Sequence, residues 1–278
     1  MHQAHTAILM ATYNGARHLR EQIDSILAQT DHDWTLFVHD DGSADDTMAI
    51  LHEYAAAHRQ VVVLDYPPTG GACANFLGMM QRVEAQYYLF ADQDDVWLSD
   101  KVRLSREEML RQEAAHPQAP VVVHTDLVVA DEQLNVVAPS FMKYTATRPE
   151  FITSFDECVL PFVTGCTMMF NAEARRATLL PAREATMHDV WITLCCMSKG
   201  GVVSVVPTPL VLYRQHGDNA IGARDIHTVG LRYRVGHLLT IVRNNRAHYK
   251  MLRRLGYGSV WKYIRHKIIY RDKVRHSK

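Results

Sequence analysis

Apolar residues along this chain follow two alternating spacings, and the alternation predicts secondary structure. Short apolar runs that are typical of buried strands occupy 6–12, 34–39, 61–64 and 87–91. Between them, apolar residues recur at helical spacing, as Leu19, Ile23 and Ile26 do after the first run. Strands that alternate with helices in this way predict an α/β fold with a mostly parallel, doubly wound sheet and right-handed crossovers.

The second half continues with predicted strands at 121–129, 163–170 and 210–219 and then changes in character. From residue 223 to the end, 15 Lys and Arg stand against 2 acids, although the whole chain has 30 of each charge. Apolar residues at helix-like spacing are interleaved with these charges. Such a segment predicts either binding to an anionic membrane surface or packing against the acidic body of the protein. Nucleic acid is disfavoured, since no recognised binding motif accompanies the charge.

Composition limits the cellular setting. The chain has 278 residues, 47% of them hydrophobic, which is enough for one large domain or one domain with an appendage. Its five cysteines are an odd number without a C-x-x-C pair, so a reducing compartment is predicted. No signal-peptide pattern and no run of about 18 apolar residues is found, which predicts a cytoplasmic protein without a membrane span.

Polar side chains stand where three of the predicted strands end. They are Thr12 and Asn14 after the first strand, Asp40 and Asp41 after the second, and Asp92, Asp94 and Asp95 after the fourth. In such sheets ligands bind at the carboxyl ends of the strands. Three adjacent carboxylates repel one another unless a cation offsets their charge, so the cluster predicts a hard divalent ion. The alternative is a helix entry capped by Asp94, Asp95 or Ser99.

Two familiar phosphate-binding loops are missing from the sequence. No G-x-G-x-x-G follows the first predicted strand, and no G-x-x-x-x-G-K-[ST] occurs anywhere. A dinucleotide-dependent oxidoreductase and a P-loop enzyme are therefore disfavoured. Any phosphate at the acidic strand ends is expected to be held by metal.

Six short segments together resemble a known family. ILMATYNG, VHDDGSADDT and LFADQDDVW, followed by TGCTMMFN, MHDVWI and LYRQHGDN, resemble the family 2 glycosyltransferases over roughly residues 6–222. DQDDVW followed by HDVW is similar to bacterial rhamnosyltransferase-like members. The resemblance implies a Rossmann-like, mostly parallel sheet flanked by helices, the glycosyltransferase A-type fold. The implied catalytic domain is 1–222, with a nucleotide-sugar-binding half at 1–100, an acceptor half at 101–222 and a basic helical C-terminal extension at 223–278.

For the donor half, the resemblance assigns roles to five residues. It implies that Thr12 and Asn14 line the nucleotide pocket and that Asp41 bonds the pyrimidine or its ribose. Asp92 is expected near the ribose and the metal, and Asp94 on the metal. The implied cofactor is Mg²⁺ or Mn²⁺, which stabilises the diphosphate leaving group. Asp95 either supports this site or caps the next helix.

For the acceptor half, the resemblance places the catalytic base at Asp189, which would remove a proton from the acceptor hydroxyl. His188 stands where the family more often has Glu, and it is expected to contact the acceptor together with Trp191. A simple helix cap at Asp189 and a core position for Trp191 are the alternatives. Direct attack assisted by one base inverts the anomeric centre.

Three further positions are predicted to contribute. Arg214 and His216, one residue apart on a predicted strand, would point together at the donor diphosphate or the metal, with His216 as a metal ligand. A solvated loop is the alternative for His216, and Gly217 and Gly222 are predicted hinges of a closing loop. Asp126, flanked by apolar residues, is either a paired structural carboxylate or an acceptor of sugar hydroxyls.

A glycine in the acceptor half, Gly165, also has two interpretations. It lies in an apolar run, where the absence of a side chain would let substrate or backbone approach closely. The same glycine could instead mark a bulge in the predicted strand.

The resulting prediction is an inverting, metal-dependent transferase in surface polysaccharide synthesis, located in the cytoplasm or peripherally on the inner face of the cell membrane. Its donor would be a dTDP- or UDP-linked sugar such as rhamnose, and its acceptor a saccharide or a lipid-linked saccharide. A sugar-nucleotide pyrophosphorylase is the alternative enzyme, but no glycine-rich phosphate loop with Arg and Lys supports it. A nucleotide-binding module without turnover is the non-enzymatic alternative.

Overall fold

The structure, a computed structural model, describes residues 2–216 and 238–277. In this part of the chain one sheet of nine strands is flanked by helices. The strands are β1 His2–Thr12, β2 Thr35–Asp40, β3 Val61–Val63, β4 Val83–Ala91, β5 Val96–Trp97, β6 Val121–Ala130, β7 Val136–Ala138, β8 Met168–Asn171 and β9 Val202–Arg214. The helices are α1 Leu19–Leu27, α2 Thr47–Ala57, α3 Ala72–Arg82, α4 Lys101–Ala115, α5 Phe141–Thr145, α6 Ala172–Ala177, α7 His188–Ser198, α8 Leu238–Arg254 and α9 Val260–His276.

The sheet is parallel in its first half and mixed in its second. The strand order is β3-β2-β1-β4-β8-β6-β9-β5, with β7 paired to β6. β1 pairs in parallel with β2 and β4, and β2 pairs in parallel with β3, as alternating strands and helices predict. β8 is antiparallel to both β4 and β6. A parallel neighbour needs a full crossover, whereas the chain reaches β8 through one short helix and three 3₁₀ turns.

The central strands are buried on both faces. Ala7, Ile8, Leu9 and Met10 of β1 are all fully buried. Alternate residues enter different cores: Ile8 packs in the cluster on one face, and Leu9 packs in the cluster on the other. The period of two along a strand explains this division, and helices on both faces explain why the run is continuously apolar.

Two predicted strands are shorter than expected. The segment predicted as a strand at 163–170 begins with a 3₁₀ turn at Gly165–Thr167, and β8 covers only its last part. The strand predicted at 210–219 belongs to β9, which ends at Arg214. His216 therefore lies beyond the strand, so the expectation that Arg214 and His216 share one strand face is wrong.

The C-terminal helices α8 and α9 pack against the body of the protein. Met251, Leu252, Tyr257 and Tyr263 are buried in the core cluster that contains Phe90 and Phe170. The Nζ atoms of Lys262 and Lys273 pair with Asp156 and Glu157 at 2.6 and 2.9 Å. Packing against the acidic body is thus the arrangement of this segment, and membrane binding remains a separate prediction. The predicted domain boundary at 222 and the predicted hinges Gly217 and Gly222 lie outside the described residues.

Despite this packing, α8 and α9 leave apolar side chains on their outer faces. Trp261, Leu239 and Ile268 are 76%, 86% and 51% exposed. Both helices have 17 residues, and none of the helices within 2–216 and 238–277 has the length and apolar character to cross a bilayer.

Candidate active site

A cavity of about 1120 Å³ lies at the carboxyl ends of β1, β2 and β4 and extends to the start of α7 and to the C-terminal helices. It brings together six of the predicted site residues. These are Thr12, Asp41, Asp92, Asp94, His188 and Asp189. Residues distant in sequence thus meet in one space, as parallel strand ends require.

At the end of β1, polar side chains hold the turn after β2. Thr12 Oγ1 donates a hydrogen bond to Asp40 Oδ1 at 2.9 Å, and Asp40 Oδ2 accepts from the backbone N–H of Ser43 at 2.7 Å. Asn14 Oδ1 accepts from the backbone N–H of Ala44 at 2.8 Å. Asn14 therefore ties two loops together. Its side chain does not take part in lining the cavity, contrary to prediction, because its amide oxygen is used by the neighbouring turn.

The Asp41 carboxylate lies in the cavity wall and is held by the loop before α3. It accepts hydrogen bonds from Thr69 Oγ1 at 3.0 Å and from the backbone N–H groups of Thr69, Gly70 and Gly71. Burial raises the pKa of Asp41, but these donors outweigh it and leave the pKa below its ordinary value. A base or ribose that binds Asp41 must therefore share or displace this loop, and its predicted role stays a prediction.

The acidic cluster after β4 is electrostatically strained. Burial, together with the charges of Asp94 and Asp189, raises the pKa of Asp92 to about 7. Burial and the neighbouring carboxylates of Asp92 and Asp94 raise the pKa of Asp95 well above its ordinary value. Ligand atoms of Asp92, Asp95 and Cys166 lie within 4.8 Å of one another. This convergence of carboxylates is what the sequence predicted for the end of the fourth strand.

The helix-entry alternative for these acids is wrong. Helix α4 begins at Lys101, and its N-cap residue is Asp100. Neither Ser99 nor Asp94 caps it, and Asp95 Oδ1 instead accepts from the backbone N–H of Arg214 at 3.2 Å. The helix starts several residues after Asp95 because the short strand β5 lies between them.

Arg214 holds the acidic turn through hydrogen bonds to backbone oxygens. Its guanidinium donates to the backbone oxygens of Asp94 and Glu132 at 2.8 and 2.6 Å and pairs with the carboxylate of Glu21. The side chain is only 2% exposed and does not line the cavity. The prediction that Arg214 contacts the donor directly is thus corrected. Its guanidinium N–H groups are already oriented by these acceptors, so Arg214 positions the turn instead.

His216 and Asp94 meet directly. Nε2 of His216 lies 2.8 Å from Oδ2 of Asp94, which excludes a purely solvated loop position for this histidine. Carboxylates and an imidazole are ligand types that suit Mg²⁺ or Mn²⁺, and Asp92 lies two residues before Asp94. Among the described residues, the group whose ligand atoms converge within 4.8 Å is Asp92, Asp95 and Cys166, so the set of Asp92, Asp94 and His216 stays a prediction. A divalent cation would also offset the repulsion among the acids. The Cys166 thiol is a poor further ligand, because burial raises its pKa well above the ordinary value and keeps it protonated.

Asp189 is a buried carboxyl at the start of α7. The N-cap residue of this helix is Met187, so the cap interpretation of Asp189 is wrong. Asp189 is 7% exposed, and its Oδ1 accepts from the backbone N–H of Val190 at 2.7 Å. Burial raises its pKa to about 6. Such a carboxyl is ionised at neutral pH and basic enough to accept a proton.

His188 is packed between aromatic rings beside this carboxyl. Its ring centroid lies 4.1 Å from that of Phe76 and 4.6 Å from that of Phe90. Burial lowers its pKa to about 3, so the imidazole is neutral. A Cβ atom on Gly165 would lie 2.8 Å from His188 Nε2, which explains why position 165 has no side chain. Gly165 therefore makes room for the ring and lies in a 3₁₀ turn instead of a strand bulge. Because it also lines the cavity, close approach of substrate at this position stays a prediction.

Trp191 and Asp126, for which a contact with sugar was considered, both have structural roles. Trp191 is fully buried, and its Nε1 donates to the backbone oxygen of Leu179 at 2.9 Å. Its predicted role in the acceptor wall is wrong because α7 is buried on all its faces, which places this ring in the core. Asp126 accepts from Ser140 Oγ and from the backbone N–H of Leu127, so it is the paired structural carboxylate.

The sequence did not reveal that the C-terminal helices line the same cavity. Asn245 and His248 of α8 and Tyr263 and Lys267 of α9 all contribute to its wall. No local signal distinguishes them, because helical spacing shows only that one face is buried and not what it is buried against.

Comparison with known proteins identifies the family. The profile of Glycosyl transferase family 2 matches residues 7–178. The chain belongs to glycosyltransferase family 2. It is 27% identical over 230 residues to the dTDP-rhamnosyl transferase RfbG of Shigella flexneri, covering 77% of this chain and 74% of that protein. It is also 27% identical over 196 residues to the putative teichuronic acid biosynthesis glycosyltransferase TuaG of Bacillus subtilis, covering 70% and 72%.

Solved structures of other glycosyltransferases share the fold. S. aureus TarS 1-349 superposes with a TM-score of 0.56 at 16% identity, and the match covers 75% of this chain and 60% of the TarS chain. The mannosyltransferase PcManGT from Pyrobaculum calidifontis, in complex with GDP-Man and Mn²⁺, gives a TM-score of 0.56 at 15% identity and covers 94% and 78%. The predicted family, its enzymatic nature and the α/β fold class are confirmed.

Proposed function

We propose that this family 2 enzyme is an inverting, metal-dependent glycosyltransferase in which Asp189 is the catalytic base. The observation that carries the proposal is the position of Asp189, buried in the cavity that also contains Asp92 and Asp94. Its charge is close enough to raise the pKa of Asp92. A base and a donor-phosphate site that line the same cavity can act on the same sugar.

At the acceptor end, the local surroundings of Asp189 favour proton transfer. The backbone N–H of Val190 fixes Oδ1, and the His188 ring packs beside the carboxyl without carrying charge. Because His188 is neutral, it does not lower the basicity of Asp189. The carboxylate takes the proton of the acceptor hydroxyl as that oxygen attacks the anomeric carbon. The bond from this carbon to the diphosphate breaks in the same displacement, so the centre is inverted and nucleoside diphosphate leaves.

At the donor end, Asp92, Asp94 and His216 would hold Mg²⁺ or Mn²⁺. The chemistry that the bound ion supplies is Lewis-acid stabilisation of the charge on the leaving diphosphate. Arg214 keeps the turn that bears Asp94 in place through the backbone. The Mn²⁺ complex of PcManGT, which has the same fold, supports this assignment.

The relatives support a choice of substrate and pathway. RfbG is described as a dTDP-rhamnosyl transferase and TuaG as a putative teichuronic acid biosynthesis enzyme. We therefore propose a dTDP-linked deoxyhexose, with rhamnose first, as the donor, a UDP-linked sugar as the second choice, and surface polysaccharide synthesis as the role. The acceptor would be a saccharide or a lipid-linked saccharide. The basic, partly apolar outer faces of α8 and α9 support action at the inner face of the cell membrane.

The decisive experiment is a donor panel. The purified chain is incubated with a mixture of saccharide acceptors and with dTDP-rhamnose, UDP- and GDP-linked sugars, with Mn²⁺ or with EDTA, and free nucleoside diphosphate is measured. We expect release that requires metal and is lost in Asp189→Asn but kept in Asp65→Asn, an exposed aspartate outside the cavity. Binding of donor without release would identify a nucleotide-binding module, and formation of pyrophosphate from a nucleoside triphosphate would identify a pyrophosphorylase.

A further inference from the structure

At the end of the cavity that is lined by α8 and α9, the side chains differ in charge from those that line the rest of the cavity. Five aspartates line the described part of the cavity, whereas Lys267 is the only Lys or Arg that does so. The aspartates are Asp41, Asp92, Asp94, Asp126 and Asp189. A cavity for two substrates thus has an acidic region suited to a metal and a separate position suited to an anion.

The Lys267 ammonium is half-buried without a carboxylate partner among the described residues. Its Nζ contacts Asn245 Oδ1 and lies 5.2 Å from the centroid of the Tyr263 ring. Within 2–216 and 238–277 no acid lies within ion-pair distance of it, and burial lowers its pKa. Taking a cation partly out of water without a counter-charge is unfavourable, and a bound anion would remove that penalty.

Two buried polar atoms beside it also lack partners in the part of the chain that the structure describes, Tyr263 Oη and His248 Nδ1. Tyr263 is 4% exposed, and burial raises its pKa, so the hydroxyl stays protonated and can donate. His248 Nε2 donates to Cys158 O at 2.9 Å, and burial lowers the pKa of the ring to about 4. Nδ1 is therefore an acceptor. The site offers an anion two donors, the ammonium and the phenol, and offers a neighbouring hydroxyl one acceptor.

Exposed apolar residues adjoin this site on α9. Val260, Ile264 and Ile268 recur every fourth residue and are 44%, 41% and 51% exposed. Lys267 directly precedes Ile268 and lies nearly one turn after Ile264, so it stands at the border between this apolar stripe and the cavity. An inorganic anion would make no use of the stripe, whereas a phosphate that carries an alkyl chain would contact both.

We propose that Asn245, His248, Tyr263 and Lys267, the Lys267 cluster, bind the phosphate of a lipid-linked acceptor whose alkyl chain lies along the Val260, Ile264 and Ile268 stripe. The inference rests on the proposed function, since it names the acceptor class of the same cavity. It makes the C-terminal helices part of the acceptor site, with the acceptor phosphate on Lys267 and its sugar directed towards Asp189.

The test measures binding without donor or catalysis. Geranyl diphosphate and inorganic pyrophosphate are titrated into the full chain by calorimetry in EDTA, so that the acidic metal site does not contribute. We expect geranyl diphosphate to bind at least about tenfold more tightly than pyrophosphate, and Lys267→Gln to weaken it by about tenfold or more. Lys250→Gln, the same change at an exposed position of α8 outside the cavity, should bind like the parent chain.

Equal affinity of Lys267→Gln and the parent chain would overturn the proposal, and equal binding of the two probes would overturn the role of the apolar stripe. Lys267→Arg should restore part of the affinity because it keeps the charge. If Lys267→Gln does not fold, Tyr263→Phe removes only the hydroxyl and should still weaken binding. Metal-dependent release of nucleoside diphosphate tests the proposed function separately. Failure of the proposed function can therefore be told from failure of the acceptor-phosphate site at the Lys267 cluster.

Discussion

Replacing Asp189 with asparagine should make the protein more stable while it slows transfer by about 10²-fold or more. The carboxyl is 7% exposed, and its pKa is raised from 3.8 to about 6 by burial. Folding therefore places a negative charge in surroundings that disfavour it. Asparagine keeps an oxygen that can accept from the backbone N–H of Val190 but carries no charge. A charged group that serves the reaction but is unfavourable in the folded protein is expected to raise stability when it is replaced by a neutral one.

The size of the gain follows from the pKa difference. About 2 pKa units correspond to about 3 kcal/mol of destabilisation when the carboxyl is ionised in both states, which is the case above about pH 6. As the pH falls from about 6 to 4, the folded protein takes up the proton before the unfolded chain does, and the penalty shrinks. The amide of the variant would itself lose some hydration on burial, so we expect a gain of about 1–3 kcal/mol at pH 8 and about half of that at pH 5.

The assay is urea unfolding of the parent chain, Asp189→Asn and Asp65→Asn at both pH values. The exposed Asp65 variant should differ little from the parent chain at either pH. The same Asp189→Asn sample should lose about 10²-fold or more in turnover with unchanged donor affinity, because a base acts in the transition state. The reasoning is refuted if Asp189→Asn is no more stable than the parent chain at pH 8, or if its advantage is independent of pH.

Four other predictions follow from the site and its packing. The turnover number should fall about tenfold per pH unit below pH 6, as Asp189 becomes protonated, and a rate that stays flat down to pH 5 would place the base elsewhere. Asp94→Asn should weaken Mn²⁺-dependent donor binding by about tenfold or more in calorimetry, whereas affinity in EDTA should not change. Gly165→Ala should cost about 1–3 kcal/mol in urea unfolding, and less in a His188→Ala background, because its Cβ would meet the His188 ring. Removal of 238–278 should cause aggregation on size exclusion, since it uncovers the core surface that α8 and α9 protect; a monodisperse, active truncated protein would contradict this.

The last of these outcomes bears on the two interpretations of the basic C-terminal segment. A basic C-terminal segment that served only to reach a membrane could be removed without loss of turnover on a soluble acceptor. The structure places Met251 and Tyr263 in the core and Lys267 in the cavity wall. Loss of the segment is therefore expected to damage folding and the acceptor end of the site together.

The sequence alone determined the features that depend on local order along the chain. Period-two and helical spacing located the alternating strands and helices of the first half, because each period reflects which side of an element faces the core. Acids that directly follow apolar runs located Asp92 and Asp94 at a strand end, since parallel strands deliver their ends to one edge. The resemblance of MHDVWI to the family implied a catalytic role for Asp189, which stays a proposal, and nothing local showed how deeply this carboxyl is buried.

Only the tertiary structure decided which polar and aromatic residues face the cavity. Arg214 points to backbone oxygens behind the acidic turn, and Trp191 lies in the core, because both sit where distant segments already supply their partners. The antiparallel β8 and the closure of the cavity by α8 and α9 are likewise contacts between segments far apart in sequence. A local pattern shows that a helix face or a charge must be covered, but the covering surface comes from elsewhere in the chain, and its identity is fixed only when the whole core packs.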